Sequence, residues 1–197
     1  MKERNGKRFT RILMLTGILL IAAAVSLVLA DQISQKKQAE TARETAQLLL
    51  ALMPEVHGGV YAEDVSLEMP VMEIGGTDFA GVLEVPAYDA LLPVKNNWEK
   101  NSVFRQPSRY AGSMYNGSLI IGGSMNAGQF DFVKWISAGD LVTMTDMTGL
   151  RTSYLVFDVA QTKDVSDENL TGQDADLVLF ARNPYGRDYR LVLCERK

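Results

Sequence analysis

The sequence predicts a mainly β domain carried behind a membrane-spanning helix, and three observations lead there. A long uncharged apolar run lies near the N-terminus. A Gly- and Pro-free stretch with helix-forming composition follows it. The C-terminal part is then made of short apolar runs separated by turn residues. Eight or so short strands with few helices suggest a small β-barrel or a sandwich.

Ile12 to Ala30 carry no charge over 19 residues, close to the roughly 20 that a helix needs to cross the hydrocarbon core. Lys2, Arg4, Lys7, Arg8 and Arg11 precede the run, which orients residues 1–11 as a cytoplasmic tail and the remainder as exported. A cleaved signal peptide is the alternative, since Val28 and Ala30 supply small residues at the expected position. The run exceeds the 7 to 15 residues of a signal core, which favours an uncleaved anchor over 12–30. Residues 31–53 hold Gln, Ala, Lys and Glu with no Gly or Pro, so they extend the helix as a stalk. Leu48, Leu49, Leu50 and Leu52 are its candidates for packing onto the domain. Residues 54–78 mix Gly, Pro and acids and read as a linker. The β domain is expected over 79–197.

Within that domain, 80–88 and 90–94 are apolar and interrupted by prolines, as in edge or first strands. Asn116-Gly117 marks a tight turn before a buried strand. Residues 129–137 fit one or two helical turns. Residues 140–162 form the clearest hairpin, turning at Thr148-Gly149. The acidic segment 163–174 reads as a surface loop, and "DLVLFA" and "YRLVLC" as the last two strands.

Charge and composition exclude several functions. Removing the seven bases and two acids of residues 1–37 leaves 13 Lys and Arg against 22 Asp and Glu, a net charge of −9. No polybasic surface for nucleic acid follows from that balance. The one cysteine, Cys194, rules out an intrachain disulfide and a cysteine-built metal site. The one histidine, His57, sits in a Gly-flanked loop with no second ligand at metal spacing. No metal and no cofactor is predicted.

The order of motifs resembles the sortases, the membrane-anchored cysteine transpeptidases of Gram-positive cell surfaces, and their class B-like members most. "GVLEVPAY…LLPV", "SRYAGSMYNGSLIIGGSMNAGQF", "GDLVTMTDMTG" and "DLVLFARNPYG" are similar to the family's opening strand, its "RYSGS…NLVIAGHNY…HF", its hairpin and its "DLTLFTCTPYG". The resemblance runs from about Phe79 to the C-terminus. It implies a closed β-barrel of about eight strands with short helices, a peptide-binding groove, a thiolate nucleophile, a histidine acid/base and an arginine that steadies substrate or oxyanion.

The chain departs from that pattern where chemistry is carried. Ser124 occupies the histidine position, Arg182 the cysteine position, and Ala181 stands for the threonine before it. A guanidinium stays protonated and has no nucleophilic electron pair, and a serine hydroxyl does not titrate near neutral pH. Arg190 matches the family arginine, with Arg187 as a competing match because the turn is one residue shorter. Cys194 lies four residues beyond Arg190, some 13 Å along the strand, without a base nearby to lower its pKa. The resemblance therefore implies an extracellular, single-pass sortase-like protein that has lost catalysis and binds or scaffolds surface proteins, or assists an active sortase. Its expected ligands are surface proteins or their sorting-signal peptides, with Arg182, Arg190 and Ser124 as candidate contacts. Two alternatives stay open: a transpeptidase or peptidase with a displaced nucleophile, and a structural envelope module whose groove is plugged, Arg182 pairing with Asp176 or Asp188.

Overall fold

The structure is a computed structural model and describes residues 3–55, 57–58, 68–99 and 106–197. One helix, α1 (Glu3–Leu52), runs through the N-terminal part. The chain divides into two compact units, residues 1–37 and 38–197. The first contains the apolar run, a helical segment long and apolar enough to cross a membrane or to serve as a signal sequence.

The second unit is built on strands β1 (His57–Gly58), β2 (Met72–Ile74), β3 (Thr77–Val85), β4 (Ala90–Lys95), β5 (Ser108–Ala111), β6 (Leu119–Ser124), β7 (Leu141–Asp146), β8 (Leu150–Thr162), β9 (Leu177–Arg182) and β10 (Tyr189–Arg196). Eight of them close a ring in the order β8-β10-β9-β6-β5-β4-β3-β7, and β7 returns to β8. β6 pairs β9 in parallel, as β4 does β5, while the other joints of the ring are antiparallel. The expected closed barrel of about eight strands is therefore present, with β1 and β2 as short additions on β8 and β3.

Alternation along the strands separates an inner from an outer face. Inward residues such as Leu83, Leu119, Ile121, Val142, Leu177 and Val192 form one buried core. A 3-10 turn, Asp131–Lys134, helps to close one end of the barrel with Phe132 and Val133. On the outside, Ala42, Ala46 and Leu49 of α1 repeat at i, i+4 and i+7, all buried, the spacing of one helical face. Ala46, Leu49 and Met53 join Phe79, Val82 and Met147 in a second cluster. Of the four leucines expected to pack, Leu49 is buried and Leu50 half-buried, whereas Leu48 and Leu52 are exposed.

Three local expectations change. Met72–Ile74 form a strand within the stretch read as a linker, and β3 begins at Thr77, two residues before the expected domain start. β3 is not an edge, because it is paired on both sides by β4 and β7. The acidic segment after β8 contains a short helix, α2 (Asp167–Thr171), capped by the Ser166 side chain and anchored by buried Leu170. One apolar residue suffices to dock a single helical turn, so hydrophobic periodicity is too short to announce it.

Candidate functional site

The C-terminal ends of β6 and β9 bring Ser124 and Arg182 side by side. Their parallel pairing sets Ile120 opposite Val178, Gly122 opposite Phe180 and Ser124 opposite Arg182. Directly paired residues share a face, and this is the outer face, since Ile120, Val178 and Phe180 belong to an outer cluster. Adjacent strands lie about 4.8 Å apart, so the hydroxyl-bearing and guanidinium-bearing residues are immediate neighbours.

Ser124 is completely buried. Its carbonyl accepts from Phe130 N at 2.9 Å, and the next amide, Met125 N, donates to Arg182 O at 3.0 Å. Its own N–H donates to Gln129 Oε1 at 3.1 Å. The Ser124 hydroxyl, by contrast, has no hydrogen-bond partner among the described residues, and neither has Gln129 Nε2. The amide of Gln129 cannot be turned over to repair this, because Nε2 would then face the Ser124 N–H, donor against donor. Gln129 was overlooked in the sequence although it lies inside the motif segment; only its neighbourhood in space gives it a role.

Arg182 is half-buried at the last position of β9. Asp188 and Asp176, the acids near it in sequence, each make contacts of their own. Asp188 accepts from Gln161 Nε2 at 2.5 Å and from Asn183, and these contacts hold its carboxyl below its ordinary pKa, Gln161 contributing most. Asp176 accepts the Arg196 N–H at 2.7 Å.

Arg190 does not join the pair. Its register partner is Ala181, whereas Tyr189 is opposite Arg182. Arg190 therefore shares the inner face with Val192 and Cys194 and donates to Lys134 O at 3.3 Å. Arg187 lies exposed in the turn between β9 and β10. Cys194 is completely buried in the inner core, and burial pushes its thiol up to about 12. It presents no thiolate at physiological pH. His57 lies in β1.

Next to the polar pair, the outer face is roofed by aromatic rings. Trp98 and Tyr110 meet edge to face at 5.1 Å, Trp98 and Phe180 lie 5.3 Å apart, and Tyr189 follows at 6.4 Å from Phe180. Gly122 makes this possible: a Cβ there would stand 2.4 Å from both the Phe180 and the Trp98 rings. Beyond the rings, a cleft of about 290 Å³ stays open between the β5–β6 turn and α2, floored by Ile120, Leu170 and Val178. The outer face thus passes from an aliphatic cleft, through an aromatic roof, to a hydroxyl and a guanidinium. Among the described residues no group of three or more His, Cys, Asp or Glu side chains is placed to hold a metal ion.

Comparison with solved structures matches the barrel to sortase structures. Sortase C1 from Streptococcus agalactiae superimposes with a TM-score of 0.52 at 20% identity, covering 64% of this chain and 70% of that one. Sortase A from Corynebacterium diphtheriae gives 0.52 at 18%, covering 83% and 84%. The fold is that of the sortases. A Clostridium perfringens sortase D5 transpeptidase gives 0.51 at 13%, covering 83% of this chain and 94% of its own. No protein-family model and no curated protein matches the chain. At this identity the likeness speaks for the fold alone.

Proposed function

We infer that the chain is a membrane-anchored, extracellular sortase-like domain without transpeptidase activity, which binds peptide segments of surface proteins and holds them or presents them to an active partner. The observation that carries this reading is the pairing of a sealed serine hydroxyl with a guanidinium at the ends of β6 and β9. Cleavage of a peptide bond needs a nucleophile and a group that delivers a proton to the departing amine. Among the described residues no base is hydrogen-bonded to the Ser124 hydroxyl, Arg182 has no free electron pair, and the thiol of Cys194 is enclosed and held protonated. The open aliphatic cleft next to an aromatic roof supports binding, since such surfaces take apolar side chains with a few polar contacts for orientation.

A second reading has its own observation. Trp98 and Phe180 close over Gly122, as expected of a structural envelope module whose groove is filled by its own side chains.

Full-length chain in lipid nanodiscs, incubated with a library of sorting-signal peptides and an amine acceptor, separates the possibilities. Binding by fluorescence polarisation with no product by mass spectrometry is the expected result. Turnover that disappears in Cys194→Ala or Ser124→Ala overturns the non-catalytic reading, and absence of both signals leaves the structural module.

A further inference from the structure

We propose that two joined cavities at the other end of β6 and β9 dock a peptide segment in which a lysine or arginine stands next to an aliphatic residue. The proposal rests on the peptide-binding reading above and names the class of segment that this surface takes.

The aliphatic cleft of about 290 Å³, floored by Ile120, Leu170 and Val178, has a larger neighbour. That second cavity measures about 500 Å³ and is lined by Phe157, Asp174, Asp176 and Glu195. Gly117, Gln173 and Ala175 line both, so the two form one depression that changes character across a shared rim. Each is of a size to take a large side chain, and together they fall in the range of sites that enclose a ligand. Two of the three rim residues are glycine and alanine, which keep the crossing low. Asp176 stands six residues before Arg182, about 20 Å along an extended chain, so the depression is separate from the Ser124–Arg182 strand ends.

The larger cavity selects a cation. Asp174 and Glu195 are exposed, and among the described residues neither belongs to an ion pair. Asp176 accepts the backbone N–H of Arg196 at 2.7 Å, which leaves the charge of its carboxylate in place. The Arg196 side chain turns inward, on the face of its register partner Tyr154, and donates to Met114 O. Neither Arg196 nor Lys197 lines the cavity. The segment 163–176 as a whole carries five acids against one base, which draws cations toward this side of the barrel. Three carboxylates with no cation among the lining residues, beside the exposed ring of Phe157, suit an ammonium or a guanidinium, which gains from the charge and from the aromatic face at once.

The aliphatic floor decides what carries that cation. An inorganic ion or a small amine would leave Ile120, Leu170 and Val178 uncovered. A peptide supplies both groups from adjacent side chains, and the methylene stem of lysine or arginine can lie over Gly117 and Ala175 while its head stays among the carboxylates.

The test uses full-length chain in nanodiscs of zwitterionic lipid, with the capped, fluorescein-labelled peptide Gly-Leu-Lys-Gly followed by fluorescence polarisation. This peptide is expected to bind saturably and to weaken as sodium chloride is raised. Acetylation of its lysine, or serine in place of its leucine, is expected to weaken binding about tenfold or more, the range for a lost charged contact or an uncovered aliphatic side chain. The double variant Asp174→Asn with Glu195→Gln changes two exposed side chains and is expected to lose the preference for lysine over acetyl-lysine. Ser118→Trp, on the exposed rim of the cleft, is expected to lose the preference for leucine over serine. Equal binding of the lysine and acetyl-lysine peptides, or a preference that survives in the acid variant, overturns the proposal. So does spermidine binding as tightly as the peptide, which would make this a site for charge alone. Self-association of the chain that fades in the acid variant would give the cavities to a second copy and likewise overturns it. The two readings fail separately. Sorting-signal peptides that bind equally with and without the two acids overturn this proposal and leave peptide binding intact, whereas no binding by any peptide overturns both.

Discussion

Gly128 lies directly against the backbone of Ala39, so closely that a Cβ on Gly128 would stand 2.5 Å from the Ala39 Cα and 2.7 Å from its nitrogen. Gly128 also has a φ of +76°, a conformation that L side chains adopt at a penalty of about 1–2 kcal/mol. Main chain cannot rotate aside as a side chain does, so Gly128→Ala forces the loop off the helix. The expected loss is about 2–4 kcal/mol in chemical denaturation, combining the conformational penalty with overpacking. Gly139 is the control, because its φ is +93° but nothing lies within 4 Å of its Cβ position. Gly139→Ala is expected to lose about 1–2 kcal/mol, the conformational part alone. Equal losses at the two positions would mean that helix contact contributes nothing.

Asp146 organises the β7–β8 hairpin. Its Oδ1 accepts from Thr148 N at 2.8 Å, Thr148 Oγ1 at 2.7 Å and Leu150 N at 3.0 Å, and its Oδ2 from Tyr115 Oη at 2.6 Å. The residue is completely buried. Asp146→Ala is expected to destabilise by about 3 kcal/mol or more, since it strands several donors at once. Tyr115→Phe removes one of those bonds and is expected to lose about 1 kcal/mol. Urea midpoints of the two variants measure the difference.

Cys194 makes stability fall at high pH. The unfolded thiol ionises near 9.0, while the folded one holds its proton to about 12 because burial disfavours the thiolate. Below pH 9 both states are protonated and the group has no effect. Between 9 and 12 the unfolded chain loses the proton first, so stability declines with a slope of up to about 1.4 kcal/mol per pH unit. Tyr154 acts in the same direction from 10 to about 12, again through burial. Cys194→Ala is expected to flatten the decline between pH 9 and 10, and an unchanged slope would show the thiol to be solvated. At pH 7.5 the native thiol is expected to resist an alkylating reagent that labels it at once in urea.

Trp98 holds the aromatic roof in place, with rings of Tyr110 and Phe180 at 5.1 and 5.3 Å. Trp98→Ala is expected to lose about 2 kcal/mol, less than a fully buried tryptophan because the ring is half-exposed. If Trp98 plugs a groove, the same change strengthens peptide binding; if it forms part of the binding surface, affinity falls. Fluorescence polarisation of the variant decides between the two.

Much of this architecture is legible in the sequence, for reasons that differ by element. β6 and β9 are continuous apolar runs because both faces are covered, and the 140–162 hairpin carries its own turn residues. The register between β6 and β9 is another matter. Ser124 and Arg182 are neighbours through parallel pairing of distant segments, and no local pattern encodes that alignment; the family resemblance supplied it. Register also gives what counting residues cannot, since Arg190 faces inward opposite Ala181 while Tyr189 stands opposite Arg182. Trp98 and Gln129 escaped notice because each acts through a neighbour, Gly122 or the Ser124 amide, and a lone Trp or Gln in a loop sends no periodic signal.

The closed ring has a consequence for encounters with other chains. Each of the eight strands has hydrogen-bonded neighbours on two sides, yet the pairing is uneven: β4 meets β5 at Lys95 and Ser108 alone, and β8 pairs β7 only from Arg151 to Leu155. An extended segment could add as a further strand only along such stretches, whatever its sequence. Over the rest of the ring, discrimination between one segment and another falls to side chains, which can change one residue at a time while the scaffold beneath stays the same.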